Sequence, residues 1–390
     1  MTTELRPDLG DNFCYAPWTN IHINPLGEYK TCCAGDTRLG NLRTTDISEI
    51  LNSPALADMK SAMIQNKYHE NCRTCVEKEQ HSGNSERFWY HDIAQRQVIP
   101  IASVQAAVPQ NLDIRWSNTC NLSCVYCGSE ASSVWANLKG MPLDKIDYGR
   151  NLQGMIDYVN QHRGTLKNIA LLGGEPLLQK ENESLLSVVP DDVHVNVITN
   201  LSVPLEKNKI FQRLINMNNV TWDISFETLD RKFEYVRRGA SWNTMLQNIQ
   251  ILRNRTQDRP AVLGTNAGHR INITGQYCVY NCMNFAEVAQ WFAENHLRIR
   301  WGEVSYPEIL SVYKLPAELM QFCAAEIIKS LPHASNDVQR RLLTNQAENL
   351  RKHHNDCVST QDLYDWHQRQ EQLYWPNSDL HFAELWPEFS

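Results

Sequence analysis

The sequence contains no apolar run near the roughly 18 residues that a membrane span needs. Its first residues, MTTELRPDLGDN, lack both a basic and an apolar segment, so no secretory signal is expected. Positive charge is not in excess: 37 Lys and Arg stand against 44 Asp and Glu, a net charge of −7. That balance argues against a protein that binds nucleic-acid backbone. Internal repeats and low-complexity tracts are also missing, which excludes solenoids and biased disordered segments. The expectation is a cytoplasmic protein, and 390 residues predict two or three domains. Apolar residues at 42% and charged residues at 21% are ordinary for a globular chain.

What the sequence does have is cysteine. Twelve are present, and eight of them precede residue 130. In a reducing compartment disulfides are not expected, and metal ligation is the natural alternative. Cys120, Cys124 and Cys127 form a compact C-x3-C-x2-C loop in NTCNLSCVYCGSE. Three thiolates can hold three irons of a 4Fe–4S cube and leave the fourth iron open. A zinc site completed by a distant His or Cys is the alternative. The loop follows NLDIRWS (111–117), whose alternation reads as a strand. Further on, IALLGGEPLL (169–178) reads as a short strand ending in Gly173, Gly174, Glu175 and Pro176. Paired glycines allow a ligand close to the backbone, and Glu175 suits an ammonium group.

Cys120, Cys124 and Cys127, the aromatic Tyr126 before the last cysteine, and the GGEP run together resemble the radical S-adenosylmethionine (SAM) enzymes. The resemblance implies that the three cysteines hold a 4Fe–4S cluster, that the open iron chelates SAM, and that the GGE stretch receives its amino group. It also implies SAM contacts from Asn200 at the end of ITN, from Ser225 in DISFE with Glu227 at the following acid position, and from Arg237 in YVRRG. Arg237 matches an arginine that family members carry after this strand and suits the SAM carboxylate, although the adjacent Arg238 is not separated from it by sequence. Helix caps and a solvated arginine are the plain alternatives for these residues.

Strand patterns at 111–117, 169–178, 193–200, 220–228, 269–279 and 297–305 alternate with helical ones at 205–217, 241–255 and 284–296. Such alternation predicts an α/β protein with a parallel sheet, open or barrel-like. The resemblance implies a partial (β/α)6 TIM-like barrel with the site at the C-terminal strand ends.

The second cysteine group is Cys14, Cys32 or Cys33, Cys72 and Cys75. Pro25-Leu26-Gly27 reads as a turn between NIHI and EYKTC. Residues 46–67 are helical, with Asp46 and Ser53 as N-cap candidates. The Cys14…Gly27-x4-Cys32 spacing and the later Cys72-x2-Cys75 pair resemble the twitch domain, the shortened SPASM auxiliary-cluster domain. That resemblance implies one auxiliary 4Fe–4S cluster on Cys14, Cys32, Cys72 and Cys75, with Cys33 as a possible substitute for Cys32. In most relatives this domain follows the barrel, whereas here it precedes it. A four-cysteine zinc knuckle is the alternative.

The expected organisation is a small cysteine-rich twitch domain over 1–90, a barrel over 105–306 and a helical C-terminal extension over 307–390. Residues 76–110 read as a connection. Cys278, Cys282, Cys323 and Cys357 read as packing cysteines or as hydrogen-atom donors. The aromatic tail reads as packing or as a cover for the barrel opening. The resemblance implies reductive SAM cleavage to a 5′-deoxyadenosyl radical and hydrogen abstraction from a substrate. It further implies an electron donor such as flavodoxin or ferredoxin. Two substrate classes stay open, a peptide or a small molecule such as a sugar or nucleotide. No leader-binding winged helix is read before residue 14. A zinc-stabilised scaffold without SAM chemistry is the third reading.

Overall fold

The computed structural model describes residues 10–82, 85–96, 109–141, 149–258, 260, 267–304, 306–352 and 357–389. The expected barrel start near residue 105, Ser305 and the first nine residues lie outside them.

Nine strands make one sheet: β1 (Asn20–Ile23), β2 (Glu28–Lys30), β3 (Gly40–Asn41), β4 (Asn111–Ile114), β5 (Asn168–Leu171), β6 (His194–Thr199), β7 (Asn219–Ser225), β8 (Gly268–Tyr277) and β9 (Arg298–Glu303). The order is β3-β2-β1-β4-β5-β6-β7-β8-β9. From β4 to β9 every pairing is parallel. These are the six expected barrel strands, and the barrel is not closed.

In a barrel of parallel strands the helices cover the outer face. Leu112, Ile114, Ile169, Leu171, Val195, Val197, Trp222 and Ile224 turn to that face. There they form one core with Met155, Leu185, Phe211 and Ile249 from the helices. The helices 209–214 and 285–294 fall inside the expected segments, and 242–256 runs one residue past the expected 241–255.

The N-terminal hairpin also follows its sequence. β1 and β2 are antiparallel around Gly27, whose φ of 77° is the left-handed conformation glycine adopts freely. Asp46 caps Ile47–Leu51 in a capping box with Glu49, and Ser53 caps Pro54–Ile64. The helical stretch 46–67 is therefore two helices, divided where Pro54 takes the first position of the second.

Two features depart from the sequence reading. The stretch 76–110 is not a plain connection, because Arg73–Ser82 and Glu86–Arg96 are helices. Its polar residues pair with one another: Arg87, which is buried, binds Glu79, and Ser85 Oγ donates to Glu79 at 2.5 Å. The hairpin is also not separate from the barrel. β1 runs parallel to β4, with Asn20 to Ile23 in register with Asn111 to Ile114. The cysteine-rich segment thus adds a seventh parallel strand to the sheet.

Beyond β9 the chain is helical, with Ala317–Ser330, Asp337–Leu350 and Thr360–Tyr374. A second core joins this extension to the barrel through Tyr235, Tyr280, Phe382, Trp386 and Phe389. The aromatic tail is packed here. Cys278, Cys282 and Cys323 are fully buried in the same core, while Cys357 is exposed. No helix among the described residues is long and apolar enough to cross a membrane.

Candidate functional site

The chain leaves β4 and turns at once into the loop bearing Cys120, Cys124 and Cys127, so the loop sits at the C-terminal edge of the sheet. Three supports hold it. The first is the helix Ser133–Leu138. Ser132 caps it and donates to Leu122 O at 2.6 Å, Ser133 Oγ accepts from Cys120 N at 3.1 Å, and Trp135 Nε1 donates to Cys124 O at 2.8 Å. The second is the GGEP run. Gly174 N donates to Ser117 O at 3.2 Å and Glu175 N to Thr119 O at 2.7 Å. A Cβ on Gly174 would overlap the Thr119 carbonyl, so only glycine permits this approach. The third is the VRRG turn. Val236 O and Arg238 O each accept from the loop at 2.9 Å, from Val125 N and Ser123 N. The sequence offered no sign of Ser132, Ser133 or Trp135 in this role.

Donors point at the loop sulfurs. Leu122 N is 3.5 Å and Asn200 Nδ2 3.8 Å from Cys120 Sγ. Asn200 also donates to Asn121 Oδ1 at 2.9 Å. Arg237 Nη1 lies 3.8 Å from Cys124 Sγ. The rest of its guanidinium binds Glu227, with Nε on Oε2 at 2.8 Å and Nη2 on Oε1 at 2.6 Å. Tyr126 OH completes this group by donating to Glu227 Oε1 at 2.8 Å. Arg238 is turned away, toward Ser378 Oγ at 2.6 Å and Leu380 O at 3.0 Å in the tail. The structure therefore separates the two arginines that the sequence left unresolved.

Glu175 is fully buried. Its carboxylate accepts from Thr199 Oγ1 at 2.6 Å, Asn200 N at 2.7 Å and Leu177 N at 3.1 Å. Burial pushes this carboxyl up to about 7 against the pull of those donors. Gly173 has a φ of 123° and packs at Ser117 O. Ser225 ends β7 opposite Thr274, at the same edge of the sheet.

The second cysteine group closes on one cavity. Cys14, Cys32, Cys72 and Cys75 line it with Thr31, Asn71, Arg87 and Tyr90. Cys33 is exposed and is not part of that lining. Burial raises all four lining thiols, Cys72 to about 11 and Cys32 to about 12. It does the same in the barrel loop, where Cys127 reaches about 11. Burial in such surroundings favours the neutral thiol over the free thiolate. No three His, Cys, Asp or Glu side chains among the described residues gather around a single-ion site. The four thiols Cys14, Cys32, Cys72 and Cys75 line one cavity, and cysteine thiolates are the donor set that iron–sulfur clusters take. In the barrel loop, Cys120 Sγ faces backbone and side-chain donors and Cys124 Sγ faces Arg237.

The sheet face opposite the helices is polar, which sequence reading overlooked. Across it, His22 Nδ1 meets Asp113 Oδ2 at 2.7 Å, Asn272 and Arg300 both donate to Asp223 Oδ1 at 3.0 and 3.1 Å, and His194 bridges Asn168 and Thr221. Asp113, Ala170 and Asn196 lie side by side in register. Asp113 Oδ1 and Asn196 Oδ1 are buried without a hydrogen-bond partner among the described residues. The signal was available in HVNVIT and VTWDIS. Parallel strands covered on both faces read as continuous apolar runs, and these alternate.

Comparison with known proteins bears on this arrangement. A family model described as the Radical SAM superfamily matches residues 114–273, and one described as an iron–sulfur cluster-binding domain (SPASM) matches 14–76. The chain is 28% identical over 144 residues to a probable GTP 3′,8-cyclase of Archaeoglobus fulgidus, which covers 37% of this chain and 44% of that protein. Solved structures similar to it include Streptococcus suis SuiB bound to S-adenosylmethionine, at 15% identity and TM-score 0.39 over 66% of this chain and 54% of that one. Another is native anSMEcpe with bound AdoMet and a peptide, at 15% identity and TM-score 0.40 over 57% of this chain and 59% of that one. The chain thus spans about half the length of the relatives it matches. The cysteine loop, the GGEP run packed on it, the partial parallel barrel and the two matched family models lead to one conclusion: residues 114–273 are a radical SAM domain, and residues 14–76, ahead of it, are an iron–sulfur cluster-binding domain of the SPASM type.

Proposed function

We propose that the chain cleaves SAM reductively and removes a hydrogen atom from a polar substrate held on the inner face of the barrel. In this reading Cys120, Cys124 and Cys127 hold the SAM-binding 4Fe–4S cluster. Gly173, Gly174, Glu175, Asn200, Ser225 and Tyr126 surround the SAM. Cys14, Cys32, Cys72 and Cys75 hold one auxiliary cluster. The observation that carries it is the clamping of the cysteine loop between GGEP and VRRG above a polar sheet face.

Bound there, the cluster and SAM supply a one-electron cleavage that yields methionine and a carbon radical able to take hydrogen from an unactivated carbon. The chain's own residues do the positioning. Gly173 and Gly174 keep side chains away from the loop. Glu175 ties the GGEP run to the end of β6 through Thr199 and Asn200. Asn196 Oδ1 offers an acceptor to a substrate that carries N–H or O–H donors, beside the Asp113 carboxylate that faces Arg115 Nε at 4.0 Å. That favours a polar substrate, a peptide segment or a small molecule such as a sugar or nucleotide. Four thiols around the auxiliary cavity leave no iron without a protein ligand, which favours electron transfer there over substrate binding. A small redox protein such as flavodoxin or ferredoxin would supply the electron.

The test is iron, sulfide and zinc content after anaerobic reconstitution, with 5′-deoxyadenosine measured on reduction in the presence of SAM. Wild type should hold about eight irons, and the Cys120/Cys124/Cys127→Ala variant about four, with no 5′-deoxyadenosine formed. Zinc without iron would overturn the reading.

A further inference from the structure

Arg237 stands at a branch between two roles. A guanidinium offers five N–H donors, and a carboxylate ligand takes two of them as a fork. In this chain the fork is already filled. Nε and Nη2 bind the two oxygens of Glu227 at 2.8 and 2.6 Å. Nη2 also meets Tyr126 OH at 2.7 Å, and Nη1 points at Cys124 Sγ from 3.8 Å. Tyr126 donates back to Glu227 Oε1, so the three side chains close a ring.

The ion pair at its centre is buried, with Glu227 only 1% and Arg237 5% exposed, and Tyr126 is half-buried beside it. Its members come from three places: the cysteine loop, the segment after β7, and the end of the helix Asp230–Val236. Breaking a buried ion pair by removing one partner is strongly unfavourable, so Glu227 is not readily displaced. Hydrogen bonds and charge beside a coordinating sulfur set the potential of an iron–sulfur cluster.

We propose that Glu227 and Tyr126 are positioning residues that hold Arg237 as a donor to the Cys124 sulfur, so that Arg237 raises the reduction potential of a cluster bound there rather than binding the SAM carboxylate. This rests on the reading that Cys124 is a cluster ligand. A positive charge at the sulfur stabilises the more negative, reduced cluster, and the Glu227 carboxylate offsets part of that charge.

The experiment uses the full chain, reconstituted anaerobically, as wild type, Arg237→Met, Arg237→Lys and Glu227→Gln. Two quantities are read: the midpoint potential of the barrel cluster by EPR-monitored titration without SAM, and the dissociation constant for SAM. The Cys120/Cys124/Cys127→Ala variant identifies the auxiliary signal. If it loses no iron, the cluster reading itself has failed, a result distinct from failure of this proposal. Arg237→Met should lower the potential and change SAM affinity less than threefold. Arg237→Lys keeps the charge and should lie nearer wild type. Glu227→Gln should move the potential upward, and two shifts of opposite sign are not produced by general loosening of the loop. A tenfold or greater loss of SAM affinity in Arg237→Met, or potentials unmoved in Arg237→Met and Glu227→Gln, overturns the proposal. Should Arg237→Met lose its cluster, Arg237→Lys and Glu227→Gln decide by the same criteria.

Discussion

Gly174 is where one missing methyl group matters most. Its backbone lies against the Thr119 carbonyl, one residue before Cys120, and backbone has nowhere to retreat. Gly174→Ala should therefore destabilise the chain by about 1–3 kcal/mol, as overpacking does, and lower the iron retained in the barrel. Gly164→Ala is the control. Nothing lies within 4 Å of a Cβ there, so its effect should stay within about 0.5 kcal/mol. Denaturant unfolding and iron analysis of both variants check this. The cysteines and the GGEP run were legible in sequence because they work at fixed short spacing. The Glu227–Arg237–Tyr126 ring was not, since Tyr126 lies 101 residues from Glu227 and 111 from Arg237.

Among the elements, the helix Thr360–Tyr374 carries a built-in acid sensitivity. His367 is 1% exposed and stacks on Phe382 at 3.7 Å. Nδ1 donates to Leu363 O at 2.7 Å, so Nε2 is left to accept from Tyr280 OH at 2.9 Å, which is the neutral tautomer. Burial lowers its pKa to about 3. The unfolded ring titrates near 6.5, so between those values the unfolded chain binds the extra proton. The stability it contributes is therefore complete above pH 6.5 and is lost as pH falls toward 3. By pH 5 the loss reaches about 2 kcal/mol. His367→Gln should remove that part of the pH dependence, so the wild-type advantage over the variant should shrink by this amount between pH 7 and 5. Glu175, raised to about 7, works in the opposite sense, and the variant comparison cancels it. The helical nature of this extension was readable from periodicity. Its attachment to Tyr235 and Tyr280 was not, because aromatic residues announce burial but not a partner.

At the scale of the whole molecule, the SPASM-type segment and the barrel share one sheet. Four residue pairs join β1 to β4, and Gln110 N donates to Thr19 O at 2.9 Å just before them. Strands in one ladder open together. Amide hydrogen exchange on the full chain should therefore give Asn20–Ile23 a protection close to that of Asn111–Ile114. Rapid exchange of β1 beside a protected β4 would mean that the segment opens on its own. No short-range pattern signals this pairing, because the two strands are four residues each and about ninety residues apart.

By itself the sequence determined the chemistry and the local elements. Thiolate number and spacing, glycines where backbone must approach, the caps at Asp46 and Ser53, and the six alternating strand patterns follow from covalent geometry and short-range periodicity. Tertiary structure alone decided that Cys32 rather than Cys33 lines the auxiliary cavity, that Arg237 rather than Arg238 faces the loop, and that β1 extends the barrel sheet. Each of those outcomes depends on which side of a strand or turn a side chain leaves, and on partners far along the chain, so packing settles it and neighbouring residues do not.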